Sequence, residues 1–368
     1  MTQYNPVATG ISHGRPDNTG HVEKAVQQAL AKSGATRANA VILFLTADCA
    51  HDPLPAIRSA ARAASCTQVF GATGMGLLTE EEWVIDGSGA AAMVFTGHVN
   101  LGLNQQADPG QLRLCLCTPQ ALSAEWLGEP VRRFGAITSD EFGHGPFAIW
   151  RSGTLAKDGF MEVAVNGASA KVAVARGVEI LTSPLKIDET TGHDIRRIGG
   201  YPALHVLIGA LPDDIRARGQ FPLHRVMCGV TFGEPETAID EGRFRLDHVV
   251  AANTEDNSIT LSQPLQPGQR LFWAMRDSVT AERMMRDALQ TCRRDLGGNP
   301  DFSIMFPCLS RGPIFFGGTD KDVVLTRDAF PGTPVIGFYG NGEIAPIGEY
   351  SHLHQYSTVL AAFRSHNA

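Results

Sequence analysis

Two stretches of this sequence follow the same plan, and that repetition limits the fold more than any other feature. Each stretch has a helix with an apolar face, over 22–32 and 281–296, and later a G-x-x-G-x-G motif at a strand end. The motifs begin at Gly71 and Gly337. Apolar runs such as 40–45 are typical of strands that are covered on both faces. We therefore expect a mixed α/β fold of two related lobes, produced by an internal duplication.

The middle of the chain has a different texture. The apolar segments 161–165 and 171–175 flank Asn166-Gly167, which predicts a β-hairpin. The segments 244–251, 258–262 and 269–275 predict a three-stranded meander. The fold class is therefore mixed α+β with largely antiparallel sheets.

Composition excludes several classes of protein. The 368 residues carry a formal net charge of −7, and no basic cluster favours DNA or RNA. We find neither a signal peptide nor an apolar stretch long enough to cross a membrane. The seven cysteines are scattered and odd in number, which indicates a reducing compartment. We expect a cytoplasmic protein.

The densest polar signal in an apolar setting is the segment 307–312, which follows a predicted buried strand. Arg311 offers a planar fork of donors that suits a carboxylate, and Cys308 offers a thiol. The alternative is structural: Cys308 is then a small buried apolar residue, and Arg311 pairs with an acid of the protein itself.

The second signal is the glycine motif 337–342 with the acid that follows it, Glu343. The glycines permit a close backbone approach, and Glu343 lies between Gly342 and Ile344, so we expect it to face a cavity or a buried partner. The alternative is a tight turn with a solvated acid. The order of the glycines does not fit a dinucleotide-binding fingerprint.

Histidines provide weaker signals. His352 and His354 share one face of a strand and could hold a metal ion, although a lone pair of this kind is more often packing or surface. One histidine is enough for an axial haem ligand, and four lie in apolar or glycine-rich settings: His144, His205, His224 and His248.

The chain resembles the FIST family over nearly its whole length, most specifically in its last part and more loosely in the segments 22–30, 40–46 and 70–76. The resemblance is carried by the segments 306–312, 315–317, 330–339 and 342–346. It implies a FIST N-terminal-like domain over 1–198 and a FIST C-terminal-like domain over 199–368. It also implies an intracellular sensory protein that binds a small ligand, amino acids being suggested. Some members resemble haem-binding nitric oxide sensors that act on histidine kinases.

The first glycine motif departs from the second, because Ala72 and Leu77 stand where the family pattern has polar or acidic residues. The resemblance therefore carries no site residues to the N-terminal domain. Since the chain ends at Ala368 without an output domain, we expect its signal to pass to a separate partner, such as a histidine kinase.

The main hypothesis is a sensory protein without enzymatic activity that binds an amino acid or another small anion. Arg311 would clamp a negative group, and Glu343 would take a cationic one. The remaining expected contacts are Cys308, Gly312, Gly342 and an apolar wall formed by Phe315, Phe316, Phe338 and Tyr339.

Three alternatives stay open. The first is a haem-based nitric oxide sensor, and the second is an enzyme with Cys308 as its nucleophile, which also requires a base. The third is a structural protein without a ligand, which would have no cavity beside Arg311 and Glu343.

Overall fold

The structure is a computed structural model that describes residues 5–102, 111–217 and 222–366. The chain divides into two compact units. The main unit comprises 1–176 and 282–368, and the inserted unit comprises 177–281. The boundary expected at residue 198 divides the chain into family domains, and it lies within the inserted unit. A division into compact units does not test a division into family domains, so the boundary at residue 198 stays a prediction.

The first part of the main unit begins with a strand and a capped helix. The Asp17 side chain accepts a hydrogen bond from the Gly20 amide at the start of the helix, and Gly34 ends it with a left-handed backbone conformation. The elements are β1 (Val7–Gly14), α1 (Asn18–Ser33), β2 (Ala40–Thr46), a 3-10 helix (Ala47–His51), α2 (Leu54–Ala63), β3 (Val69–Gly74), β4 (Leu77–Thr79), β5 (Trp83–Val84) and β6 (Ser88–Phe95).

The second part of the main unit is shorter, and its helix has only four residues. Its elements are β7 (Asn100–Gly102), β8 (Arg113–Cys117), α3 (Ala124–Leu127), β9 (Arg133–Ile137), β10 (Ile149–Arg151), β11 (Thr154–Leu155) and β12 (Phe160–Asn166).

Strand β13 (Ala168–Arg176) follows β12, but the hairpin expected here is wrong. Strand β12 pairs with β7 and β8, whereas β13 belongs to a different sheet. The turn residue Gly167 has a φ of 81°, and a Cβ there would lie 2.4 Å from the carbonyl oxygen of His98. Glycine therefore lets the chain cross between sheets at a point of close backbone approach.

The inserted unit is a closed antiparallel barrel of six strands, ordered β15-β16-β20-β19-β18-β21 and back to β15. Its elements are β14 (Val178–Ile180), β15 (Leu185–Thr191), β16 (Asp194–Ile198), β17 (Tyr201–Pro202), α4 (Ala203–Ala210), α5 (Asp213–Ala217), β18 (Val226–Thr231), α6 (Pro235–Ala238), β19 (Phe244–Asn253), β20 (Ser258–Leu261) and β21 (Arg270–Arg276).

The three strands of the expected meander exist as β19, β20 and β21, and β19 pairs with β20 as expected. The expected pairing of β20 with β21 is wrong. Strand β21 pairs with β18 and β15 instead of β20, because it closes the barrel.

The third part of the chain, 278–365, returns to the plan of the first and belongs to the main unit from residue 282 onward. Its elements are α7 (Ser278–Leu296), β22 (Phe302–Pro307), a 3-10 helix (Leu309–Arg311), α8 (Lys321–Ala329), β23 (Val335–Phe338), β24 (Glu343–Ile347), β25 (Tyr350–His354) and β26 (Ser357–Ser365).

The three parts build three six-stranded sheets with the same strand order. The orders are β1-β6-β2-β3-β10-β11, β7-β12-β8-β9-β24-β25 and β13-β26-β22-β23-β4-β5. In each sheet one inner pair is parallel, namely β2–β3, β8–β9 or β22–β23, and every other pair is antiparallel. Each sheet takes its last two strands from another part, so the three parts exchange hairpins cyclically.

A glycine occupies the same place in each parallel pair. Gly71, Gly135 and Gly337 lie opposite residues of the neighbouring strand, and a Cβ at any of them would come within 1.7 or 1.8 Å of a carbonyl oxygen. These positions therefore need glycine for close strand approach. The mixed α/β class is confirmed, with three similar sheets where the sequence indicated two lobes. A duplication as their origin stays a prediction.

The three sheets share one apolar core. Phe338 illustrates it, because its ring lies 5.0 Å from that of Phe44 and 5.2 Å from that of Phe306, both edge-on. Phe302 and Phe363 stack at 4.7 Å between ring centres. This core fixes the strand ends where the candidate site lies.

Candidate functional site

The residues expected to bind a ligand gather at the carboxyl ends of β22 and β23. Cys308 follows β22 and forms a parallel backbone bridge with Gly340, which follows β23. Parallel strands bring their carboxyl ends to one edge of a sheet, which is a common place for ligand contacts. The fold therefore groups Cys308, Arg311, Tyr339 and Glu343, as the sequence analysis expected.

Arg311 is only 1% exposed, and its guanidinium already has partners within the protein. Nε and Nη2 donate to the two carboxylate oxygens of Asp322 at 2.7 and 3.0 Å. Nη1 donates to the carbonyl oxygen of Ala175 at 2.9 Å. Asp322 also accepts a 2.6 Å hydrogen bond from the Thr358 hydroxyl. The role of anion clamp expected for Arg311 is thus corrected: it forms a buried bidentate pair that joins α8 to β13 and β26.

Tyr339 is also engaged inside the protein. Its hydroxyl donates to Oδ2 of Asp320 at 2.5 Å, and Oδ1 of Asp320 caps α8 by accepting from the Val323 amide. Burial and the neighbouring Asp322 raise the pKa of Asp320 to about 6. The Tyr339 ring packs so closely on Gly312 that a Cβ there would lie 3.3 Å from it. Tyr339 and Gly312 therefore have structural contacts of their own.

Glu343 is fully buried at the start of β24, and only one of its oxygens has a partner. The Ser357 hydroxyl donates to Oε2 at 2.8 Å, whereas Oε1 has no hydrogen-bond partner among the described residues. Burial holds the pKa of Glu343 well above its usual value of 4.5. Nearly all buried polar atoms of proteins are paired, so this free oxygen calls for an explanation.

His354 lies directly across from Glu343 in the antiparallel pair β24–β25, on the same face of the hairpin. Its Nε2 atom is buried and has no partner in the described part of the chain. Burial, with Arg176 nearby, lowers the pKa of His354 to about 3, so the imidazole is neutral at physiological pH. The hairpin therefore presents two adjacent buried groups, each with one unpaired polar atom.

Cys308 lies beside Glu343 and also contacts a residue at the protein surface. Its Sγ lies 3.2 Å from the hydroxyl of Ser310, which is exposed. Burial and the adjacent Glu343 raise the pKa of the Cys308 thiol to about 12. Because the thiolate is the nucleophilic form, this environment does not support the hypothesis of a nucleophilic Cys308.

A glycine-containing loop, 313–319, follows Arg311 and carries an unusual apolar surface. Ile314 is 90% exposed, and Phe315 and Phe316 are half-buried with ring centres 5.0 Å apart. The Phe316 ring centre lies 5.9 Å from the guanidinium carbon of Arg311. Gly317 has a left-handed backbone, and a Cβ there would touch nothing within 4 Å. Phe315 and Phe316 therefore lie beside the buried cluster, and their role as a ligand wall stays a prediction.

Two other expected contacts have structural roles. Phe338 points into the core described above, so its placement in a ligand wall is corrected. Gly342 has a φ of 126°, and a Cβ there would lie 2.9 Å from Leu353, so the tight turn before β24 requires glycine.

The described histidines form no metal-binding group, and those considered for haem lie at the surface. His352 and His354 lie on β25, but no third His, Cys, Asp or Glu joins them in a metal-binding group among the described residues. All four histidines considered for haem are exposed, and His205, His224 and His248 belong to the inserted unit. Both possibilities stay predictions.

The sequence analysis missed Asp320, Asp322 and Ser357, which complete the buried cluster. The two aspartates flank Lys321 at the start of α8, where an Asp before an apolar helix is a capping signal. That signal predicts a cap for Asp320, but nothing in the sequence links Asp322 with Arg311.

The fold and this buried cluster at a strand edge define an α/β protein with a candidate ligand site. The family model of the FIST C domain matches residues 203–346. This match confirms the resemblance to the FIST family for that segment of the chain, and FIST C domains are a sensory type of domain. The N-terminal FIST assignment stays a prediction.

The chain is also similar to curated proteins that are named as uncharacterized. An uncharacterized protein of Mycobacterium tuberculosis is 26% identical over 235 residues, which cover 62% of this chain and 60% of the relative. An uncharacterized protein of Mycobacterium bovis is 25% identical over 232 residues, which cover 62% of this chain and 59% of the relative. The chain therefore matches about 60% of the length of these relatives. Within the described residues, no helix is long and apolar enough to cross a membrane.

Proposed function

We propose that this protein is a sensor that binds a small ligand between Glu343 and His354, beneath loop 313–319. The observation that carries the proposal is the pair of unpaired atoms, Oε1 of Glu343 and Nε2 of His354, on facing positions of one hairpin. A small polar molecule at this point would complete both hydrogen-bonding groups. The free energy cost of leaving them buried without partners would then be recovered on binding.

The ligand carries an amine or ammonium group, as an amino acid does. An ammonium donates up to three hydrogen bonds, and one of these fits Oε1 of Glu343. It also brings a positive charge into direct contact with the carboxyl group, whereas the guanidinium of Arg311 acts on Glu343 only at a distance and donates its hydrogen bonds to Asp322 and the Ala175 carbonyl. Nε2 of His354 accepts a second hydrogen bond in the tautomer that carries its proton on Nδ1.

Loop 313–319 and the surface residue Ser310 give the ligand its route. Movement of the loop would uncover Phe316 and the cluster beneath it, and return of the loop would enclose the ligand. Ligand binding would thus change the fractions of the protein with the open and with the closed loop. A separate protein partner would bind one of these two conformations in preference to the other. A histidine kinase remains the candidate partner, and the protein acts without catalysis.

Thermal unfolding with a ligand panel tests the proposal. The panel contains amino acids, simple primary amines and short carboxylates, and the proteins are the wild type, E343Q and E349Q. Glu349 is an exposed residue of the same hairpin and serves as the matched control. A ligand at 100 times its Kd stabilises the folded state by about 2.7 kcal/mol.

We expect an amine to raise the Tm of the wild type and of E349Q, and to leave the Tm of E343Q unchanged. An equal shift in E343Q would contradict binding at Glu343. A panel in which only the carboxylates act would contradict the amine class.

Haem-dependent sensing of nitric oxide is the second candidate. His144 and His51 both line one pocket of the main unit, which supplies a place where a histidine could meet a larger ligand. An absorption spectrum of protein expressed with haem precursor separates the candidates: a Soret band that shifts with nitric oxide supports haem, and its absence favours the amine ligand.

A further inference from the structure

A pocket of about 530 Å³ opens in the main unit, among the first and second parts of the chain and away from Glu343. Its walls come from the end of the 3-10 helix after β2, the residues after β8, the β9–β10 connection and the chain after β11. The polar residues that line it are His51, Thr118, Gln120, His144, Lys157 and Asp158.

The similarity of the three sheets shows why a pocket forms here. In the first sheet, Gly71 of β3 lies opposite β10, and the β10 residue there lies opposite Leu155 of β11. In the sheet that contains β22 and β23, Gly337 is related in the same way, through β4, to Trp83 of β5. Leu155 and Trp83 therefore occupy equivalent positions. Two residues after these positions come Lys157 and Ile85. The chain after the β10–β11 hairpin therefore places an exposed lysine beside the first sheet. The chain after the β4–β5 hairpin places an isoleucine beside the sheet that contains β22 and β23.

Ile85 closes the equivalent place in that other sheet. A Cβ on Gly312 would lie 3.3 Å from Cδ1 of Ile85, and one on Gly76 would lie 2.9 Å from its Cγ1. These contacts show that the isoleucine side chain fills the space at the strand ends. Lys157 cannot fill its own position in this way, because its ammonium group must remain hydrated or bind an anion.

The β9–β10 connection, residues 138–148, forms the opposite wall and is much longer than the β3–β4 and β23–β24 connections. Asp140 orders it by accepting hydrogen bonds from the amides of Gly143 at 2.7 Å, His144 at 3.3 Å and Gly145 at 2.9 Å. The connection closes on β3, where the Ala148 amide donates to the Thr73 hydroxyl. His144 is therefore held at the pocket by a preformed turn.

The donors around the pocket favour an anion. Lys157 supplies a positive charge, and His51 and His144 supply imidazole donors. The carboxylate of Asp158 is paired with Arg151 at 2.8 Å, so the acid in the lining is already compensated. Phe147, Ile149 and Leu155 add apolar surface to the walls, which suits an organic group.

We propose that this pocket is a second ligand site, which binds a small organic anion through Lys157, His51 and His144. The recognised group is a phosphate or a carboxylate, and the apolar wall takes the organic part. The site is independent of the one proposed at Glu343.

Isothermal titration with three probes tests this site: phenyl phosphate, phenylacetate and benzyl alcohol. The key variant is K157I, which gives the first sheet the residue type found at Ile85. K171I is the matched control, because Lys171 is exposed on β13 and lies outside the pocket lining. H144A provides a second test that leaves Lys157 in place.

We expect one or both anions to bind the wild type and K171I, and K157I to lose at least about tenfold in affinity, as does H144A. A stronger response to phenyl phosphate or to phenylacetate identifies the anionic group. Binding of benzyl alcohol as tight as that of the anions, wild-type affinity in K157I, or no binding of either anion would overturn the proposal. E343Q keeps wild-type affinity for these probes, so failure here is distinct from failure at Glu343.

Discussion

Replacement of Arg311 by methionine is expected to destabilise the main unit strongly, even when no ligand is present. The change removes two hydrogen bonds to Asp322 and one to the Ala175 carbonyl, all in a buried setting. Removing one partner of a buried ion pair costs about 3–5 kcal/mol, because the other charge stays buried without compensation. A clamp that served only a ligand would predict almost no change in the free protein.

Urea unfolding followed by circular dichroism measures this free energy. R286M is the matched control, because the exposed Arg286 pairs with the half-buried Glu282 one helical turn away at 2.7 Å, and such surface pairs contribute about 0.5 kcal/mol or less. The double variant R311M/D322N removes the uncompensated charge and should recover part of the loss. An R311M protein within about 0.5 kcal/mol of the wild type would refute the structural role of Arg311.

Three further predictions concern single groups of the main unit. The folded protein retains a proton on Glu343 that the unfolded chain releases above its usual pKa of 4.5, so the free energy of unfolding falls with rising pH by up to about 1.4 kcal/mol per unit. The stability of E343Q relative to the wild type should therefore increase from pH 5 to pH 8, and parallel urea curves would contradict this. G135A should unfold at a lower urea concentration than the control G87A. A Cβ on residue 135 would lie 1.7 Å from a carbonyl oxygen, whereas the nearest atom to a Cβ on residue 87 is 3.7 Å away. Equal urea midpoints for the two variants would contradict the close strand approach. Iodoacetamide should alkylate the half-buried Cys66 before the buried Cys308, whose pKa is about 12, and peptide mass spectrometry showing the reverse order would restore Cys308 as a reactive thiol.

Local patterns in the sequence predicted the elements that local chemistry determines. The helix α1 shows its apolar spacing and its Gly34 cap in the sequence, and β2 shows its continuous apolar run. The glycine motif 337–342 also indicated the strand end where Cys308 and Glu343 meet. These signals depend on residues that are close together along the chain.

Partners that are distant in sequence could not be predicted in the same way. Asn166-Gly167 has the chemistry of a hairpin turn, but the sheet that each flanking strand joins depends on distant strands. His354 looked like one member of a histidine pair, yet its important neighbour is Glu343 across the hairpin. The second sheet escaped notice because α3 has four residues and gives too short a periodic pattern.

Isothermal titration calorimetry in two buffers with different heats of ionisation tests ligand binding at Glu343 most directly. The titrant is the amine that gives the largest thermal shift, added to the wild type and to E343Q. An ammonium group that binds beside Glu343 displaces the proton of the buried carboxyl group, so the heat measured for the wild type should differ between the buffers. E343Q should bind the amine weakly or not at all. Equal heats in both buffers together with wild-type affinity in E343Q would contradict a ligand site at this hairpin.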